Sequence, residues 1–326
     1  MVKTLHPQEL SGLLVVNKPV GMVSKDVSRW LSKRLGSKVK MGHVGTLDPA
    51  AEGVLPILLG KATRLQDLLL DLPKTYECDV SLGSETDSLD SDGQLVKEMP
   101  YEHVTRDGLE EASQDLLGKQ LQVPPIYSAV KYLGKPLYFY ARNGRADEVD
   151  LDALARNIDI YEFKILEFSG QVVTFRLRCS KGTYVRVAAR DLARKLGTCG
   201  TITRLCRTES SGVAIRQSFS LEEIEKFLEK NGQLREPLLI PMESLDLGLS
   251  SLPIDDLRSV AMLRSGQKVR IKDGLASVRG SELGKLIGNR SQEKLLLLDR
   301  DGRAFGLGLG HPKPDELQVE MKRSLL

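Results

Sequence analysis

Apolar and polar residues change their period several times along the 326-residue chain, and the changes predict a mixture of strands and helices. GLLVVN, residues 12–17, reads as a short strand, and VLPILL, residues 54–59, as a second. Period two continues over Thr75–Leu82 and over a paired stretch at 158–180. Within 171–179, Val173, Phe175, Leu177 and Cys179 fall on one face, with Thr174, Arg176 and Arg178 on the other. Helical spacing predicts helices over Ser24–Leu35 (stopped by Gly36), Lys61–Leu70 and Glu110–Leu117. Thr183–Leu196 is amphipathic, with Val185, Ala188, Ala189, Leu192, Ala193 and Leu196 opposite a stripe of Arg186, Arg190 and Arg194. Ser220 and Glu223 form a capping box for a helix ending near Asn231. The pattern breaks at LDLGLSSLP, about 245–255. Beyond it come a helix over 257–265 and short strands with glycine turns at 274, 280, 288 and 302. Strands and helices without regular βαβ alternation predict an α+β fold. The break predicts two domains, 1–249 and a small β-rich 250–326.

Composition adds exclusions. At 41% apolar and 28% charged residues, the chain is an ordinary globular one, long enough to bury cores without staples. Its apolar runs fall far short of the ~20 residues of a membrane helix. MVKTLHPQELSG lacks a signal-peptide core, so a cytoplasmic location is expected. Cys78, Cys179, Cys199 and Cys206 show no C-x-x-C pairing, and His6, His43, His103 and His311 are scattered. Reduced thiols and no zinc or iron site are expected.

Charge is uneven. The net +3 divides into +4 for residues 1–72, −9 for 73–171, +8 for 172–216, −6 for 217–256 and +6 for 257–326. If folding gathers the three basic blocks, they make a positive face for a polyanion. Otherwise they are solvated charge.

Three segments carry candidate chemistry. MGHVGTLDPAAEGVLPILLG, residues 41–60, sets Asp48 among glycines and before Pro49, which pushes its backbone out of the helical region. A carboxylate so placed suits close approach of a ligand, or simply shapes a turn. QVPPIYSAVKYLGKPLYFYARNGR, residues 122–145, interleaves Tyr127, Tyr132, Tyr138 and Tyr140 with Lys131, Lys135, Arg142 and Arg145. Stacking surfaces beside phosphate-binding cations suit an RNA loop, or the tyrosines are core. CSKGTYVRVAARDLARKLG, residues 179–197, brings Tyr184 and Arg186 into the first turn of the basic-striped helix. An arginine there pairs with a carboxylate or phosphate, or belongs to a solvated face.

In this order, with NKPVG (Lys18-Pro19) ahead and LCRT (Leu205–Thr208) behind, the three segments resemble the TruB family of tRNA pseudouridine synthases, over about residues 12–216. The resemblance implies a catalytic domain with a mixed, mainly antiparallel sheet, and isomerisation of uridine 55 in the tRNA T arm. It implies that Asp48 of GTLDP is the catalytic carboxylate. His43 of GHVG would intrude into the T loop, Tyr76 of KTYE would stack on the flipped base, and Leu205 would pack on the uracil. Tyr184 and Arg186 would line the pocket, with Arg186 paired to Asp48. Residues 122–145, with Lys131 and Arg142, would form a mobile loop closing over the RNA. Residues 250–326 would resemble a PUA-type RNA-binding module, on Gly266 and the GKLIG and AFGLGLG segments. Val23, Glu52, Arg64 and Cys206 depart from the usual family pattern, Glu52 only four positions after Asp48.

The implied reaction breaks the bond between uracil and ribose, turns the base and joins it through carbon. No redox change occurs and no atoms are gained or lost overall, so no cofactor or metal is needed; no obligate protein partner is expected either. Flipping the nucleotide costs a few kcal/mol, and aromatic stacking returns ~1–3 kcal/mol per base. The carboxylate must be ionised, a form that a paired guanidinium favours, to act as nucleophile at the ribose or base at its 2′ proton. Two rivals remain: a guide-dependent synthase of ribosomal RNA, and a non-catalytic RNA-binding or folding protein on the same scaffold.

Overall fold

The computed structural model describes residues 10–36, 39–272, 292–313 and 316–325. Among these residues one large sheet organises the first 240. Its strands are β1 (Gly12–Lys18), β2 (Met41–His43), β3 (Ala51–Leu59), β4 (Lys74–Leu82), β5 (Gly118–Gln122), β6 (Arg156–Ser169), β7 (Val172–Cys179), β8 (Gly200–Ser210), β9 (Val213–Ala214) and β10 (Leu239–Ile240). They run in the order β10-β1-β3-β8-β4-β7-β6-β5, with β2 beside β3 and β9 beside β8. The ladder is antiparallel except where β8 meets β3 in parallel, setting Leu205 opposite Ala51 and Arg207 opposite Gly53. The expected α+β class and mainly antiparallel sheet are what the chain adopts.

Helices cover one face. The apolar sides of α1 (Ser24–Leu35), α3 (Arg106–Gln114), α5 (Val185–Lys195) and α6 (Leu221–Asn231) bury Val27, Leu31, Leu109, Ala189, Leu192 and Ile224 against Leu14, Leu55, Cys78, Phe175 and Leu177. β7 keeps the alternation read from sequence. Val173, Phe175, Leu177 and Cys179 are buried, while Thr174 and Arg176 point the other way and bond Asp79 and Glu77. Across β1 and β3 a second core collects Leu13, Val15, Val54 and Leu58 under α2 (Gln66–Asp71).

Several boundaries differ from expectation. The apolar strand begins at Ala51 rather than Val54, because β8 adds a pairing partner for its polar start. The helix expected over 61–70 is a 3₁₀ turn, Gly60–Leu65, followed by the short α2. The helix expected at 110 starts at Arg106, since the Thr105 side chain accepts from the Gly108 N–H and caps it. The basic-striped helix starts at Val185, so Tyr184 is its N-cap residue rather than a member of its first turn. The acidic stretch 84–93 opens a hairpin, with Ser84–Thr86 paired to Leu95–Glu98. Segment 122–145 holds a small hairpin, Lys131–Tyr132 with Lys135–Pro136, and α4 (Leu137–Arg142).

A separate five-stranded sheet follows, with strands β11 (Ser250–Pro253), β12 (Val269–Lys272), β13 (Glu293–Leu298), β14 (Ala304–Lys313) and β15 (Glu316–Ser324) in the order β11-β13-β14-β15-β12. The helix α7 (Leu257–Arg264) lies against it. The AFGLGLG repeat has a packing reason. A Cβ at Gly310 would come 2.9 Å from Leu295, and one at Gly306 would come 2.5 Å from Met321. Leu296, Ala304 and Leu325 join the second core beside Leu13 and Val15, so the two sheets share apolar contact. Gly302 turns β13 into β14 with φ 76°. The turns expected at Gly274, Gly280 and Gly288, and the GKLIG segment, lie outside the described residues.

Candidate active site

Asp48 sits on the irregular connection between β2 and β3, its side chain 38% exposed. That connection is clamped from four directions. The Ser24 hydroxyl donates to the Leu47 carbonyl at 2.9 Å and accepts from the Leu47 N–H at 2.8 Å. Gly21 N–H donates to the Pro49 carbonyl at 2.8 Å. The fully buried Lys18 ammonium donates to the carbonyls of Pro19, Met22 and Pro49. Arg207, also buried, donates to the carbonyls of Gly45 (2.9 Å), Thr46 (3.4 Å) and Val54 (2.8 Å). The glycine run here reflects this clamp rather than ligand approach alone. Gly53 has φ 103°, and a Cβ on it would lie 2.4 Å from the Arg207 carbonyl.

Arg186 reaches Asp48 from the first turn of α5. Its Nη2 lies 2.9 Å from Asp48 Oδ2, and its Nη1 lies 3.5 Å from Asp90 Oδ2. The same guanidinium donates to the Ser88 carbonyl at 2.6 Å and the Tyr127 carbonyl at 2.9 Å. With its side chain only 4% exposed, Arg186 is not part of a solvated face. Arg190 and Arg194 hold to that reading better: they remain partly exposed, paired with Asp191 and Glu85. A buried cation needs its donors satisfied, and four partners from three chain segments do that here.

Asp48, Tyr76, Tyr184, Arg186 and Leu205 line one cavity of about 670 Å³, within the usual range for small-ligand sites. Lys74, Ser128, Ala129, Val130, Arg156 and Arg207 complete much of its wall. Tyr76 projects from β4, opposite Leu177 and Arg207 of the flanking strands, and burial pushes its phenol pKa up. Tyr184 is held through its backbone: its N–H donates to Gln122 Oε1 at 2.7 Å, and Gln122 Nε2 donates to its carbonyl at 3.2 Å. The Arg156 guanidinium lies 5.2 Å from the Tyr184 ring centre. Leu205 is 8% exposed on β8.

The other sequence candidates fall elsewhere. His43 is on β2 opposite Ile57, with Nε2 3.5 Å from Thr46 Oγ1, and it does not line this cavity. Burial, then the Arg207 charge, lowers its pKa. Lys131 and Arg142 also stand off the cavity, although Ser128–Val130 of their segment line it. Arg142 lies over the Tyr138 ring at 5.6 Å. Glu52 pairs with Arg204 at 3.2 Å, away from the Asp48 carboxylate's own partner.

Sequence reading missed Lys18, Asp90, Gln122 and Arg207. Lys18 and Arg207 stood inside NKPVG and LCRT, and nothing local distinguishes a buried cation from a solvated one. Asp90 lay within a run of surface-like acids. Among the described residues no three His, Cys, Asp or Glu side chains group as metal ligands, and all four cysteines are buried free thiols. Burial raises the Cys179 and Cys206 thiols to about 11.

Lys18 provides a stability test. Burial first, and then the Arg207 charge, lower its pKa to about 8, against the opposing pull of Asp48 and Glu52. Between pH 8 and its ordinary 10.5 the unfolded chain binds the extra proton, so this group makes stability rise with pH across that window. The rise is on the order of 3 kcal/mol at most. Lys18→Met is expected to lack this contribution. Urea unfolding at pH 7.5 and 10 checks it: equal pH slopes for parent and variant contradict a depressed Lys18.

Comparison with known proteins places the chain. Residues 33–185 match the TruB family pseudouridylate synthase N-terminal domain. A protein of Hydrogenovibrio crunogenus named tRNA pseudouridine synthase B is 42% identical over 73% of this chain and 76% of its own length. One of the same name from an Azoarcus species is 37% identical over 88% of this chain and 93% of its own. Among solved structures, a Cbf5-Nop10-Gar1 complex contains a chain that shares the fold with a TM-score of 0.70. It is 24% identical and covers 99% of this chain and 86% of that one. Fold and relatives define a pseudouridine synthase. The chain belongs to the TruB family.

Proposed function

We propose that this protein isomerises uridine 55 in the T loop of tRNA to pseudouridine, with Asp48 as its catalytic carboxylate. The observation that carries the reading is the Asp48–Arg186 pair, 2.9 Å apart, opening onto a cavity walled by Tyr76, Tyr184 and Leu205. A base turned out of its stack enters between the Tyr76 ring and the Leu205 side chain, and its ribose faces Asp48. The carboxylate acts on the sugar as nucleophile or as base at the 2′ position while the N1–C1′ bond breaks. The base stays enclosed, turns, and bonds through C5. The C5 proton leaves to solvent and N1 takes one up, so the product is an isomer.

The reading extends to the rest of the chain. Residues 1–249 are the catalytic domain, and His43, Lys131 and Arg142 contact the T arm around the cavity. The β11–β15 sheet with α7, in residues 250–326, is a PUA-type RNA-binding domain. The protein works on tRNA without a guide RNA or partner, in the cytoplasm. Relatives named tRNA pseudouridine synthase B, at 42% and 37% identity, support this over the guide-dependent rival. No helix among the described residues is long and apolar enough to cross a membrane.

The test is tritium release from 5-tritiated uridine in a T-arm hairpin by the purified protein alone. Release at stoichiometric yield is the expected result; none, or release only with added guide RNA, ends the proposal. A second expectation concerns Tyr76. Tyr76→Phe retains tRNA affinity within about twofold, because stacking needs only the ring, whereas Tyr76→Ala loses about tenfold. Equal losses in a filter-binding titration contradict stacking.

A further inference from the structure

The Arg186 guanidinium that holds Asp48 is itself held by two backbone carbonyls from separate segments, Ser88 and Tyr127. A side-chain bond joins those segments. The Tyr127 hydroxyl donates to Asp87 Oδ2 at 3.0 Å, one residue before Ser88. Asp87, Tyr127, Arg186 and Ser88 therefore form a closed ring of contacts. Asp87 is anchored on its own side, where Oδ1 accepts from the Gln94 N–H at 2.8 Å and its N–H donates to the Gln94 carbonyl at 3.0 Å.

Tyr127 also stands at the root of the 128–145 segment. The Leu137 N–H donates to the Val130 carbonyl at 2.8 Å, and the Tyr138 N–H donates to the Ser128 carbonyl at 3.1 Å. The Tyr140 hydroxyl donates to the Tyr132 carbonyl at 3.1 Å. These bonds make 128–140 one unit, carrying Lys131 and ending beside Arg142. Without the phenol bond, only its backbone neighbours and the Arg186 guanidinium itself would position the Tyr127 carbonyl.

We infer that Tyr127 and Asp87 are positioning residues that couple the seating of the 128–145 segment to the aim of Arg186 at Asp48. Seating the segment sets the Tyr127 carbonyl, the carbonyl sets Nη2, and Nη2 sets the carboxylate. This inference rests on the proposed isomerisation for its kinetic readout, but not for its structural one.

Four variants test it in the full chain. Tyr127→Phe keeps the ring and removes the donor. It is expected to lower the single-turnover rate about tenfold, the cost of one hydrogen bond to a charged partner, and to leave tRNA affinity within about twofold. Asp87→Asn, which keeps a polar partner for the phenol, is expected to lose less than Asp87→Ala. Tyr127→Phe combined with Asp87→Ala is expected to be no slower than Asp87→Ala alone, because both remove the same bond. Multiplying losses overturn the inference. So does an unchanged rate in Tyr127→Phe, or a loss of affinity at unchanged rate, which would make Tyr127 an RNA contact. Amide hydrogen exchange separates the two proposals. Tyr127→Phe is expected to speed exchange at Leu137 and Tyr138 even without RNA, and unchanged protection there overturns the coupling. Absence of turnover in the parent strikes the substrate assignment instead and leaves the exchange test standing.

Discussion

Asp48→Asn is expected to bind tRNA as the parent does and to lose isomerisation by ~10⁴-fold, the upper end of the range for a positioned acid or base. Asparagine has nearly the same shape. Its carbonyl oxygen can still accept from Arg186 Nη2, which lies 2.9 Å from Oδ2 in the parent, and the loop clamps from Ser24, Lys18 and Arg207 act on backbone rather than on this side chain. What disappears is the negative charge, and with it both candidate steps, attack on the ribose and removal of the 2′ proton. The measurement is single-turnover tritium release alongside filter binding. Parent-like turnover in the variant would remove Asp48 from the chemistry. Loss of binding with loss of rate would make it a docking group.

Arg186→Lys is the second large effect, expected to slow the chemical step ~10²–10⁴-fold with tRNA affinity nearly unchanged. The charge survives the exchange, so a small effect is what net electrostatics alone would predict. The geometry argues otherwise. Nη2 serves Asp48 and the Tyr127 carbonyl, while Nη1 serves the Ser88 carbonyl and Asp90. A planar fork spans these two sets; a single ammonium on a shorter reach does not. Leaving two charge-assisted bonds unmade at about 1.5–3 kcal/mol each gives the stated range. Asp90, whose side chain is 11% exposed, would keep a poorer counter-charge, so a lowered Tm is expected as well. A rate within about threefold of the parent would show that only the positive charge matters.

Much of this site was legible because its motifs are local. GTLDP, KTYE, GTYVR and LCRT each deliver one or two residues, and five of those residues line one cavity. Local segments said nothing of how the residues are held. Arg186 belongs to a regular i, i+4 stripe with Arg190 and Arg194, and only packing tells them apart. Asp48 and Asp90 meet the first inside the fold, while the other two stay at the surface. Asp90 was hidden in a run of surface-like acids, and its burial follows from the bridge it makes with Ile202 of β8. Helix α3 was placed four residues late because its cap, Thr105, precedes the apolar spacing that announced it. His43 shares a motif with Asp48 yet stands on a paired strand outside the cavity, since β2 follows the pleat of β3.

By its sequence alone the chain determined its class, its alternating strands and its amphipathic helices, because each depends on neighbours within a few positions; the candidate site residues came from motifs that resemble a family's. The tertiary structure decided which charges are buried. Lys18, Arg186 and Arg207 lose water only when strands and loops distant in the chain close over them, and carbonyls from those distant segments replace it. That exchange is non-local, and it turns an acid in a turn into an aimed one.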